Sequence, residues 1–237
     1  LKSSTSSLRL RLAQSLHARC RHWTRLARRR VIALQLDALG LAHAPGIRTW
    51  THPDELEALF QLASECPEDA QIVELGSYLG ASTCYLAAGA ATKDARICCI
   101  DTWQNETMPD GLRDTFAEFQ RNTAGIAARL ALVRKPTVEV EPSDLPAKID
   151  LGFIDADHSY EATKADAALL APLIAPEGRL AFHDTTYFHG VARVIAELLE
   201  SGDWSLAGHC RNLTWLQRAE WNPWTPNATP QAAAATT

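Results

Sequence analysis

From residue 53 onward, short apolar runs alternate with stretches whose apolar residues recur at helical spacing. That rhythm predicts a sheet layered by helices. The runs span 72–75, 95–100, 130–134, 149–154 and 179–182, and two more, 204–210 and 213–217, flank Arg211-Asn212. The run 149–154 is almost wholly apolar, as a parallel strand covered on both faces requires. Helical spacing predicts a helix from Pro53 with Leu56, Leu59, Phe60 and Leu62 inward and Thr51 as N-cap. Further helices are expected over 81–91, 112–124 with Phe116 and Phe119 on one side, 161–173 with Ala165, Ala168, Leu169 and Leu173 toward the sheet, and 191–199. The expectation is an α/β, Rossmann-like, doubly wound sheet of seven strands with the last one antiparallel.

Upstream, residues 8–40 read as a helix with arginines among Leu8, Leu12, Leu16, Trp23, Leu26, Val31 and Leu34, stopping at Gly40. Downstream, residues 222–237 hold three prolines and an alanine-threonine end, and nothing there builds a core. The division is a basic helical extension (1–45), one domain (46–220) and a disordered tail (221–237).

Charge divides the 237-residue chain unevenly. Residues 1–30 carry nine Lys and Arg and no acid, leaving 14 bases against 28 acids beyond. An acidic body disfavours nucleic acid as a partner. The basic helix reads either as a packing arm or as a surface for weak peripheral membrane contact or a homo-oligomer. No apolar run approaches the roughly 20 residues of a membrane span, and no signal peptide is visible. Six cysteines form no C-x-x-C pair, and Cys98-Cys99 sit inside an apolar run, so a reducing, cytoplasmic compartment is expected.

Chemistry gathers at three places. The first is the stretch 71–82, QIVELGSYLGAS, a strand, a glycine turn and a helix start. Such a turn brings backbone N–H groups to a ligand. The pattern is Glu74-x-Gly76-x-x-x-Gly80, wider than a dinucleotide fingerprint and carrying an acid that would repel a pyrophosphate. It resembles the first motif of the class I S-adenosylmethionine-dependent methyltransferases. Glu74, Gly76, Ser77, Gly80 and Ser82 are the candidate cofactor contacts here. The second place is Asp101, 27 residues after Glu74 at the end of the next strand, where these folds hold ribose hydroxyls. Trp103 beside it would shield an adenine or line the mouth.

The third place is IDLGFIDADHSY over 149–160, followed by a helix and by His183-Asp184-Thr185. Two strands ending in Asp155 and in His183-Asp184 offer a divalent-cation site, Mg²⁺ or a similar ion. His158, with an unperturbed pKa of about 6.5, suits a general base. Asp155 is counted with it as catalytic and also as a cofactor contact. Together the motifs, over about residues 46–218, resemble small-molecule O-methyltransferases of the macrocin type and those annotated with cephalosporin hydroxylases, and more distantly catechol and caffeoyl-CoA O-methyltransferases. The resemblance implies S-adenosylmethionine as cofactor, a hydroxyl of a sugar or phenol as acceptor, a metal-binding role for Asp155, an adenine-side contact at Thr137 and an antiparallel hairpin closing the sheet. It departs where those distant relatives carry a catalytic Lys matching His158 and Asp-Asn matching His183-Asp184. A nicotinamide oxidoreductase, using Asp101 on the ribose of NAD, and a non-catalytic nucleotide-binding protein stand as alternatives.

Overall fold

A computed structural model describes residues 24, 26–106 and 111–219. The expectations for 1–23 and for the tail from 220 lie outside them. Seven strands form one sheet in the order β3-β2-β1-β4-β5-β7-β6. They are β1 (Gln71–Leu75), β2 (Arg96–Asp101), β3 (Leu130–Arg134), β4 (Ile149–Ile154), β5 (Ile174–Phe182), β6 (Trp204–Cys210) and β7 (Leu213–Arg218). The first five pair in parallel, while β7 runs antiparallel to both neighbours.

Alternation along the strands feeds two cores, one per face. Ile72, Ile97, Cys99, Leu151, Phe153 and Ala181 face one side. That side is covered by α1 (26–38), α2 (Pro53–Ser64) and α3 (Ala81–Gly89). Val73, Leu75, Cys98, Ile100, Leu180 and Phe182 face the other. There α5 (Tyr160–Leu170) and α6 (His189–Glu200) pack. Strands covered on both faces cannot alternate with polar residues, and so they read as continuous apolar runs. Cys98 and Cys99 behave as small apolar side chains, with burial pushing both thiol pKa values up.

Several local expectations change. The N-cap of α2 is His52, not Thr51: His52 Nδ1 accepts from the Asp54 N–H at 3.1 Å, and Glu55 Oε2 accepts from the His52 N–H at 2.6 Å. The buried face of α5 is Thr163, Asp166, Ala167 and Leu170, while Ala165 and Ala168 are exposed. All-alanine spacing does not distinguish neighbouring helix faces, and the larger Leu170 decides the rotation. Pro176-Glu177-Gly178 does not precede β5 but sits inside it, where the pairing jumps from Ile149–Ile174 to Leu151–Arg179. The expected helix over 112–124 shortens to α4 (Phe116–Asn122), followed by a 3₁₀ turn. The segment 26–44 is no detached extension, because Ile32, Leu36, Leu41 and Ala44 join the same core as α2 and α3.

Candidate active site

Strand order reverses between β1 and β4, the place where open α/β sheets hold their ligands. A cavity of about 1020 Å³ opens there, above the strand ends. Its β1–β2 wall is the glycine turn. Gly76 lines the cavity at φ +85, and a Cβ there would meet the Asp155 carbonyl oxygen at 2.0 Å. Glycine is therefore required by the neighbouring strand end as much as by any ligand. Gly80, at φ +88, is the N-cap of α3; a Cβ there would press Thr123 and the Phe119 ring. Gly80 does not line the cavity, but Ser77, Tyr78, Ala81 and Ser82 do.

Two acids hold this turn from below and from the side. Glu74 is fully buried and accepts from the Ser77 and Thr83 hydroxyls at 2.8 and 2.5 Å. Burial pushes its pKa up to about 6, against the hydroxyl hydrogen bonds. Its carboxylate clasps the turn instead of facing the cavity, which revises the direct contact expected of it. Asp101 does line the cavity, and it accepts backbone N–H groups from Ser77 (2.9 Å), Tyr78 (2.8 Å) and Trp103 (2.6 Å). It braces the turn with lone pairs left over. Trp103 departs from expectation. It is wholly buried at φ +50 and packs at 4.9 Å on both Phe116 and Phe119, so it belongs to the core and shields no ligand. Thr137 lines the cavity.

The β4–β5 wall carries the charged cluster. Asp155, His158 and Asp184 each bring a ligand atom to within 4.8 Å of the others. His158 Nε2 lies 2.8 Å from Asp184 Oδ2 and 3.8 Å from Asp155 Oδ1. His183 Nδ1 lies 3.1 Å from Asp155 Oδ1, and its Nε2 lies 3.1 Å from Glu55 Oε2. Neither His158 Nε2 nor His183 Nδ1 makes an aligned hydrogen bond, so these are close ion pairs. The geometry revises the expected cation set: His158 joins Asp155 and Asp184, while His183 is turned inward onto Glu55 at 3% exposure.

Burial alone would lower both histidine pKa values, but the carboxylates outweigh it. His158 rises to about 9 through Asp155 and Asp184, and His183 rises further through Asp155, Asp184 and Glu55. Burial likewise works against the Asp184 carboxylate, but His158 and His183 hold it well below the usual range. An imidazole so placed carries its proton at neutral pH. It becomes a base once that proton is displaced. Phe188 stacks on the His158 ring at 4.4 Å and fixes its plane. Sequence reasoning missed Phe188, Asn212 and Glu55. Of these, only the Glu55 position carried a signal, an acid three residues after a helix N-cap.

Residues 73–185, from β1 to just past β5, match the family model described as a methyltransferase domain. This span is a class I methyltransferase domain. Such domains take their methyl group from S-adenosylmethionine, and the glycine turn, Asp101 and the charged cluster all fall inside the match. Solved structures share the fold. The O-methyltransferase NovP superposes with a TM-score of 0.60 at 16% identity, over 70% of this chain and 80% of its own. TomG from Streptomyces achromogenes, an O-methyltransferase involved in tomaymycin synthesis and solved with its cofactor, gives 0.55 at 17%, over 78% and 90%. CalS11, a TDP-rhamnose 3′-O-methyltransferase of calicheamicin biosynthesis, gives 0.50 at 21%, over 69% and 76%. No curated protein matches this chain by sequence. Among its described residues no helix is long and apolar enough to cross a membrane.

Proposed function

We propose that the methyltransferase acts on a hydroxyl of a small molecule, a sugar or a phenol, with the acceptor oxygen held at the Asp155–His158–Asp184 cluster. The observation that carries this reading is the cluster itself, which shares one cavity with the glycine turn. The β1–β2 wall, with Gly76, Ser77, Ser82, Asp101 and Thr137, takes the cofactor. When bound, S-adenosylmethionine supplies a methyl group on a sulfonium. The chain's work is then to align the acceptor oxygen with that methyl and to receive its proton. His158 Nε2 receives that proton when the ring is neutral, a form that gains ground as pH rises toward about 9, and Asp155 and Asp184 stabilise the imidazolium that forms. The names of NovP, TomG and CalS11 support an oxygen acceptor.

The same three residues fit a divalent cation. Two carboxylates and one imidazole within 4.8 Å suit Mn²⁺ or Mg²⁺. Such an ion would displace the His158 proton and lower the pKa of a bound hydroxyl.

The test is calorimetry of the full chain with S-adenosylmethionine and with NAD, followed by methyl-transfer assays on sugar and phenol panels. Binding of S-adenosylmethionine alone, with transfer to one panel, is the expected result. Binding of NAD alone would return the chain to the oxidoreductase alternative.

A further inference from the structure

Glu55 is a glutamate 2% exposed, on a helix that precedes the first strand. Its carboxylate ties three separate segments. Oε2 takes the His52 N–H at 2.6 Å and faces His183 Nε2 at 3.1 Å, while Oε1 accepts the Asn212 N–H at 2.8 Å. The two long-range ties lead on to the site carboxylates, the His183 tie to Asp155 and, at 3.6 Å, to Asp184, and the Asn212 tie to Asp184. His183 turns its other nitrogen, Nδ1, to Asp155 at 3.1 Å. Asn212 donates from Nδ2 to Asp184 Oδ1 and fixes the loop beyond it by accepting from the Thr186 N–H at 2.7 Å. Asp155 and Asp184 end neighbouring strands, and their like charges repel across the cavity wall. No backbone hydrogen bond sets the separation of two side chains. A buried carboxylate costs several kcal/mol unless it is paired. Full pairing at both oxygens makes this one a rigid peg instead of a liability.

We infer that Glu55 is the positioning residue of this site: it sets the spacing of Asp155 and Asp184, the first through His183 and the second through Asn212 together with His183. It lies on the cavity wall beneath the cluster, with both oxygens engaged by His52, His183 and Asn212. The inference rests on the methyl-transfer reading of the cluster, and it predicts that His158, which contacts both carboxylates but not Glu55, answers to a change at position 55.

The variant Glu55→Gln places an amide where His183 and the Asn212 N–H both need an acceptor. Glu57→Gln on the same helix is the control, because Glu57 pairs with Arg29 on α1 and does not line the cavity. The readout is the imidazole ¹H–¹⁵N spectrum of the full chain, with His158 and His183 assigned by single substitution. S-adenosylhomocysteine affinity is measured beside it by calorimetry. In Glu55→Gln both ring signals should move, while S-adenosylhomocysteine affinity stays within about twofold, since the cofactor wall is separate. Glu57→Gln should move neither ring. A shift of His183 alone would overturn the inference, and so would a parallel loss of cofactor affinity, which marks a general structural role. If Glu55→Gln does not fold, Asn212→Ala cuts one branch only, and an unmoved His158 signal there overturns it equally. A wild-type chain that does not bind S-adenosylhomocysteine fails the methyl-transfer reading instead, and the ring signals still judge Glu55.

Discussion

At the scale of single residues, the site separates groups that act from groups that hold. On the proposed function, His158 is the acting group. Its replacement by Ala should cost about 10²–10⁴ in kcat, the usual worth of a positioned base, and leave S-adenosylmethionine affinity unchanged. A near-normal kcat on the accepted substrate would make the ring a structural one. Glu74 is a holding group, and its raised pKa has a stability consequence. Below its ordinary 4.5 both folded and unfolded chains carry the proton. Between there and about 6 only the folded chain does, so stability falls as pH rises through this window and the gain is gone above it. The expected loss is about 2 kcal/mol. Glu74→Gln should flatten this part of the curve in urea melts at pH 4.5 and 6.5, and an unchanged slope would assign the dependence to another acid.

Between elements, the glycine turn comes so near the end of β4 that no side chain fits at position 76. Gly76→Ala puts a methyl group 2.0 Å from a backbone oxygen that cannot turn aside, and β1 and β4 must part. Gly80→Ala meets Thr123 Cγ2 at 2.7 Å and the Phe119 ring at 3.2 Å, side chains that can shift. Both variants bear the positive-φ strain, about 1–2 kcal/mol. Urea denaturation should therefore place Gly76→Ala at about 3 kcal/mol or more and Gly80→Ala well below it. Equal losses would mean that the φ strain alone matters and that the strand approach is slack.

Taken as a whole molecule, the cavity joins segments far apart in the chain: the α2 entry, the β1 turn, the ends of β2, β3, β4 and β5, and the β6–β7 turn. A cation held by Asp155, His158 and Asp184 would bind only the folded chain and so stabilise it by mass action. At a hundredfold excess over Kd this is about 2.7 kcal/mol. For a chain of this size that is a rise in Tm of about 5–10 °C. Mn²⁺ titration followed by thermal melting checks this, with Asp184→Asn expected to abolish the shift. A flat response in the wild-type chain, with full turnover in excess chelator, would leave proton transfer to His158 without a metal.

The sequence by itself determined the strands, the class of fold and the location of the chemistry. Strands buried on both faces must be apolar throughout, and Glu74-x-Gly76-x-x-x-Gly80, Asp101, Asp155 and His183-Asp184 stand at strand ends whatever the packing does. Only the tertiary structure decided which side chains face the cavity and which support it. Trp103 follows Asp101 by two residues, yet its positive φ turns it back onto α4. Glu74 lies on the strand that carries the turn, yet it is covered from above by Ser77. His183 and His158 look interchangeable in sequence, and the arrival of Glu55, 128 residues before His183, separates them. Local patterns encode backbone conformation because neighbours in sequence share it. The partners of a buried charge come from strand order and helix docking, and no short stretch of this chain contains them.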